Sequence, residues 1–201
     1  MGKYAPKLIL ASQSAARRTM LRDAGLEFES IPADIDETFI IESSLHGGCV
    51  QSIAAKLAEQ KALTIAAKHP DALVIGSDQM LECDGRIFEK AKTPEAAKDK
   101  LKTLSGQTHR LISAVCIACN NETIWQSSDT AALTMHDLSD DFIDHYLEIA
   151  KDDALHCVGA YALEKAGIWL FNKIEGDYHT ILGMPLLPLL TYLRTEHEIM
   201  P

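Results

Sequence analysis

The apolar run Leu8-Ile9-Leu10-Ala11 is followed by Ser12-Gln13-Ser14-Ala15-Ala16-Arg17-Arg18. A buried strand that ends in hydroxyls, with main-chain N–H groups and guanidinium charge at the helix start behind them, has the makings of an anion site. The glycine spacing of a P-loop or a dinucleotide fingerprint is missing, so side chains must hold a phosphate there as much as backbone does. Arginines at a helix start are also ordinary solvated surface. A second apolar run, Ala72–Ser77, ends in Asp78, and Lys90 follows after a hairpin. Open α/β sheets place ligand groups at the carboxyl ends of such strands, although an Asp there can equally cap the next turn. Asp36-Glu37-Thr38 offers a further carboxylate after another strand, a pattern that also describes a solvated loop. Taken together, Ser12, Arg17, Glu37, Lys61, Asp78 and Lys90 form the minimum set for metal-assisted phosphoryl chemistry. The carboxylates serve a divalent cation and a water, and the cations serve a polyphosphate.

Other groupings carry less. His156-Cys157 lacks a suitably spaced acid, and neither Gly-x-Ser-x-Gly nor a Walker lysine is present. Cys116 and Cys119 have a CxxC spacing, but they lie in Leu111–Cys119, which reads as a strand. Three residues apart on a strand, their side chains point to opposite faces, and no second pair completes a zinc site.

Composition bounds the rest. The chain has 201 residues, 47% hydrophobic and 24% charged, with a formal net charge of −10. That is globular composition with enough length for a full core. So strong a negative charge argues against a nucleic-acid polymer as partner, whose affinity rests on many cationic phosphate contacts. It leaves room for a small phosphorylated substrate held by a few local cations and a divalent metal. No stretch reaches the roughly 18 apolar residues of a membrane span. Met1–Lys7 lacks the apolar core of a secretory signal. Five scattered cysteines, an odd number, point to reduced thiols and a cytoplasmic location.

The elements that must position these groups alternate between helix and strand at first, and strands then dominate. Leu8–Ala11 reads as a strand, Ala15–Ala24 as a helix closed by Gly25, and Glu27–Ala33 as an edge strand because Pro32 cannot donate. The clearest helix is Val50–Lys68, where Ile53, Leu57, Ala58, Lys61, Ala62, Ile65 and Ala66 follow the i, i+3, i+4 rule. Ala72–Ser77 is a buried strand, and Met80–Cys83 and Arg86–Phe88 flank an Asp84-Gly85 hairpin turn. Thr93-Pro94-Glu95 opens a helix that ends before Gly106. Strands His109–Cys119, Glu122–Ser127 and Ala131–Met135 come next, the first two joined at Asn120-Asn121. A helix from Ser139 to Ala150, a strand Ile168–Phe171 and a final helix Leu186–Arg194 complete the chain. With no repeat and no linker, residues 1–201 read as a single domain.

Seven segments in order resemble the Maf family of house-cleaning nucleotide pyrophosphatases. They are Leu8–Ser14 with Arg17-Arg18, Asp36-Glu37-Thr38, Leu57–Ala62, Val74–Asp78, Leu104–His109, Val158–Tyr161, and Ile174–Tyr178 with Gly183–Leu186. The resemblance implies a two-lobed α/β fold with a central mixed, twisted sheet flanked by helices and an active cleft between the lobes. It also implies a metal-dependent hydrolase, using Mg²⁺ or Mn²⁺, that splits a nucleoside triphosphate into the monophosphate and pyrophosphate. Carried over by position, Asp78 is the catalytic base, Glu37 and Asp78 hold the metal, and Ser12, Arg17, Lys61 and Lys90 bind substrate. A homodimer is compatible with the family. The alternative is a nucleotide-binding regulator of septum formation without turnover, against which Asp78 and Lys90 both stand.

Four departures from the family pattern bear on the base. Ala16 stands where the first arginine is usual, Gln79 where threonine is usual, Glu164 where glutamine is usual, and Glu89-Lys90-Ala91 replaces Gly-Lys-Pro. Gln79 and Glu164 as substrate-binding residues resemble the branch acting on 7-methyl-GTP more than the dTTP/UTP enzymes. A carboxylate accepts two hydrogen bonds from the N1–H and exocyclic amine of guanine, which the carbonyl of glutamine does less well.

Overall fold

The first apolar run forms the strand β1 (Lys7–Leu10), and Ser14 caps the helix that follows, α1 (Ala15–Asp23), by accepting from the Arg17 N–H. The computed structural model describes residues 6–45 and 49–200. The expectation for the N-terminal segment falls almost wholly on residues 1–5, outside the described residues. Next come β2 (Glu29–Ser30), α2 (Glu37–Leu45), α3 (Val50–Ala66), β3 (Ala72–Cys83), β4 (Arg86–Phe88) and α4 (Pro94–Leu104). They are followed by β5 (Thr108–Cys119), β6 (Glu122–Met135), α5 (Asp140–Ala150), α6 (Asp153–His156), a 3-10 turn at Ala166–Leu170, β7 (Phe171–Glu175), α7 (Tyr178–Ile181) and α8 (Leu186–His197).

The strands hydrogen-bond in the order β2-β1-β3-β5-β6-β7, with β4 on β3. The sheet is mixed. β1 runs parallel to β2 and β3, whereas β4 is antiparallel to β3 and β7 to β6. The α/β class expected from the sequence is therefore the class observed, a mixed sheet flanked by helices. Among the described residues no helix is long and apolar enough to cross a membrane.

The chain divides into two compact units. One holds Met1–Asp78, Ser113–Asp129 and Gly183–Pro201, and the other Gln79–Ile112 and Thr130–Leu182. In the first, Ile9, Leu10, Leu21, Ile53, Leu57, Ile65, Ile75 and Ile117 are fully buried, and Trp125 stacks on Tyr192 with ring centroids 5.0 Å apart. The core of the second gathers Leu81, Leu101, Leu104, Leu111, Leu133, Ile143 and Leu170 around Tyr161 and Phe171.

Four elements differ from the sequence reading, each for a local reason. Asp78 is not at a strand end, because β3 continues through it to Cys83. Polar side chains survive inside that strand since each is matched: Ser77 bonds to carbonyls, Asp78 to Lys61, and Gln79 to Thr180 and Ile181. Asp36-Glu37-Thr38 opens a helix rather than a loop, with the Asp36 carboxylate accepting from the Phe39 N–H at 3.0 Å. The two strands read at Glu122–Ser127 and Ala131–Met135 are one, β6. Its polar middle stays extended at the solvated face, where the Gln51 amide donates to Ser128 Oγ at 2.7 Å. The strand read at Ile168–Phe171 begins only at Phe171. The Gly167 and Ile168 N–H groups bond back to Ala162 and Lys165 carbonyls, leaving Ile168 and Trp169 exposed.

One glycine fixes how a helix meets the sheet. A Cβ at Gly76 would lie 2.1 Å from the Ala58 carbonyl oxygen and 2.7 Å from the Ala62 nitrogen, both main chain of α3. Helix α3 thus rests directly on β3. Gly76→Ala must push backbone apart, and we expect it to cost about 2–3 kcal/mol of unfolding free energy in a urea titration. An unchanged midpoint would contradict the close approach.

Candidate active site

Three elements of the first unit bring charge to one point. Lys61 lies on the buried face of α3 among Leu57, Ala58 and Ile65, so its stem is packed and its ammonium has little freedom. The Nζ atom is 2.5 Å from Asp78 Oδ1 on β3 and 2.7 Å from Glu37 Oε1 in the first turn of α2. The two carboxylates differ in setting, since the side chain of Asp78 is 9% exposed and that of Glu37 53%. The Glu37 contact is nearly a surface pair, whose worth is about 0–1 kcal/mol. The Lys61–Asp78 contact is buried, and removing one partner of such a pair typically costs about 3–5 kcal/mol by stranding the other.

Arg17 is fixed beside this cluster. It is buried, its Nε donates to the Gly183 carbonyl at 2.9 Å, and its Nη1 donates to the Ser77 carbonyl at 2.8 Å and to Ser12 Oγ at 3.4 Å. Ser12 Oγ in turn accepts from the Ser14 N–H, which sets the turn leading from β1 into α1. The Ser77 hydroxyl lies 2.8 Å from the Ala114 carbonyl and 3.0 Å from that of Gly183. Gly183 has φ +109°, a conformation that side chains avoid, and its carbonyl thereby meets both Arg17 and Ser77. Burial draws the Arg17 guanidinium below its usual range, while the Asp78 and then the Glu37 carboxylates oppose that shift. Arginine keeps its charge in such a place, so two buried cations, Arg17 and Lys61, face two carboxylates.

The remaining candidates lie in the second unit. Gln79 is half-buried and spends its amide N–H groups on the Thr180 and Ile181 carbonyls, at 3.1 and 2.9 Å, at the end of α7. Lys90 and Glu164 are exposed. Both charges bear on the Cys157 thiol. Burial chiefly pushes that thiol up to about 11, Glu164 and Asp153 push it the same way, and Lys90 and Lys165 pull against them.

The structure therefore joins Ser12 to Arg17, and joins Glu37 and Asp78 through Lys61, and it brings Lys90 and Glu164 into no direct contact among the described residues. The sequence reading had not placed Ser77 or Gly183 in the site. Both stand inside motifs it quoted, but their part is played by main-chain carbonyls, which residue type does not announce. The CxxC thiols go separate ways, Cys116 toward Thr123 Oγ1 at 3.8 Å and Cys119 toward the Pro70 carbonyl at 3.7 Å.

A strand-borne carboxylate on a buried ammonium, beside a clamped guanidinium, suits the handling of phosphate esters and anhydrides. Comparison with known proteins agrees. Residues 7–196 match the family described as Maf-like protein. The chain is 47% identical over 192 residues to the 7-methyl-GTP pyrophosphatase of Brucella abortus, covering 94% of this chain and 96% of that one. It is 47% identical over 190 residues to the nucleoside triphosphate pyrophosphatase of Nitrobacter hamburgensis, covering 94% and 93%. With the enzyme of that same name from Granulibacter bethesdensis it shares 46% over 193 residues, covering 96% and 98%. The chain belongs to the Maf-like protein family.

Proposed function

We propose that the Lys61-centred cluster carries out in this chain the reaction for which its relatives are named, hydrolysis of a nucleoside triphosphate to the monophosphate and pyrophosphate. The observation that carries the reading is the buried Asp78 carboxylate 2.5 Å from Lys61 Nζ, with Glu37 on the same ammonium. Water attacks the α-phosphorus, a new P–O bond forms, and the bond from the α-phosphorus to the bridging oxygen breaks. The proton lost by the water goes to Asp78, and pyrophosphate leaves with the bridging oxygen. Lys61 and Arg17 are cations already in place when charge grows on that oxygen, so little reorganisation is needed. Arg17 acts from a fixed position, since two of its nitrogens are committed to main-chain carbonyls. Lys90, an exposed cation of the second unit, is assigned to phosphate by the family resemblance alone.

A divalent cation fits the donors present. Two carboxylates, those of Glu37 and Asp78, converge on one ammonium. Such sparse protein ligation is what Mg²⁺ uses when phosphates and water complete its shell. Glu37 and Asp78 would hold it, and when bound it supplies Lewis-acid polarisation of the phosphoryl oxygens.

For the base, Glu164 is the specificity residue in this reading, its carboxylate accepting from the N1–H and exocyclic amine of guanine. The support is its exposed carboxylate and the 7-methyl-GTP named for relatives at 47% identity. A carboxylate left facing the acceptor edge of a pyrimidine is penalised by about 1–3 kcal/mol.

Three outcomes are expected. Asp78→Asn lowers turnover by about 10²–10⁴ while nucleotide still raises the melting temperature; turnover within a few-fold of wild type would remove Asp78 from the chemistry. Pyrophosphate release stops on chelation and returns with Mg²⁺ or Mn²⁺, and full activity after exhaustive chelation contradicts the metal assignment. Glu164→Gln raises the UTP to 7-methyl-GTP ratio of kcat/KM by roughly tenfold or more. If the ratio does not move, Glu164 does not read the base.

A further inference from the structure

Helix α4 turns Ala97, Lys100, Leu101 and Leu104 into the core of the second unit. A lysine at such a position is expensive, and burial draws its ammonium down to about 8 against the opposing charge of Glu89. A methionine would fill the space at lower cost. The ammonium is used, however, to bridge main chain. Lys100 Nζ donates to the Val158 carbonyl at 2.9 Å and also to the Glu89 carbonyl.

Each carbonyl belongs to a segment of consequence. Glu89 precedes Lys90 directly. Val158 heads the stretch Val158-Gly159-Ala160-Tyr161, which leads to Glu164. That stretch is fastened twice more from inside: Tyr146 Oη donates to the Ala160 carbonyl at 3.1 Å, and Tyr161 Oη pairs with His109 Nε2 at 2.6 Å. It is also tight, since Ala160 sits at φ +60° and a Cβ at Gly159 would come within 2.2 Å of the Tyr161 ring. The Tyr146 and His109 bonds fasten the loop to α5 and β5. The Lys100 bonds fasten it to the Glu89–Lys90 segment.

We propose that Lys100 is a positioning residue that, by holding the Glu89 and Val158 carbonyls on one ammonium, fixes Lys90 relative to Glu164 and so sets the spacing between phosphate-directed and base-directed groups. This rests on the roles given to Lys90 and Glu164 above.

The test uses the full-length protein and the variants Lys100→Met, Lys100→Arg and Lys90→Met. With 7-methyl-GTP as substrate, Lys90→Met should cost at least about threefold less in kcat/KM when Lys100→Met is already present than in wild type. Lys100→Arg, which keeps charge and two donors, should restore the full Lys90 effect. A merely structural lysine predicts multiplicative losses and no rescue beyond stability. Hydrogen exchange then judges the bridge without turnover: residues 86–92 and 157–164 should both exchange faster in Lys100→Met and recover in Lys100→Arg, with α8 unchanged. If wild type releases no pyrophosphate, the proposed function fails while the exchange result still decides the bridge. Unchanged exchange in either segment overturns the bridge even in an active enzyme. Should Lys100→Met not fold, Lys100→Gln, whose amide cannot span both carbonyls, is judged by the same two readouts.

Discussion

Everything proposed for the first unit depends on one ammonium. Lys61 Nζ is shared by a buried and an exposed carboxylate, at 2.5 and 2.7 Å, so the Asp78 carboxylate has an ammonium partner inside its strand. A carboxylate taken out of water without a partner would cost several kcal/mol or would take up a proton. The partner can reach it only because α3 lies on β3 without a side chain between them at Gly76. Sequence, packing and chemistry meet there. A glycine lets a helix close on a strand, and the helix delivers a lysine to the carboxylate proposed as the base.

Arg17 shows a different use of charge. Its donors are committed to the Gly183 and Ser77 carbonyls, so it behaves as part of the scaffold that also presents a field. Such a cation does not move to meet a substrate, and its orientation is settled when the chain folds. The Gly183 backbone, at φ +109°, is what turns a carbonyl toward it. In the second unit Lys100 follows the same rule on a smaller scale, being held by two carbonyls of segments that bear exposed charged side chains.

Much of this was legible in the sequence. The hairpin at Asp84-Gly85 forms with φ of 51° and 76°, as its residue types require, and Thr93 and Ser139 cap α4 and α5 through their hydroxyls. The periodicity of α3 puts Lys61 at the edge of its apolar face, and the structure buries it there. What escaped has a common cause. Strand ends were read where apolar residues stop, whereas β3 and β6 run on through polar residues whose partners are far away in sequence. Asp78 reaches back to Lys61, and Ser128 accepts from Gln51. Lys100 escaped for the same reason, because an i, i+3, i+4 pattern marks a buried position without saying what its ammonium will meet. The α2 helix is a simpler miss. Asp36 three residues before Phe39 is an N-cap pattern, whereas the sequence reading weighs only a carboxylate after a strand against a solvated loop.

The central claim is that water, activated at Asp78, attacks the α-phosphorus. Turnover in ¹⁸O-labelled water tests it most directly, with both products read by mass spectrometry. The account predicts one label per turnover in the nucleoside monophosphate and none in the pyrophosphate. Label in the pyrophosphate, or release of single phosphate with a diphosphate, would contradict it.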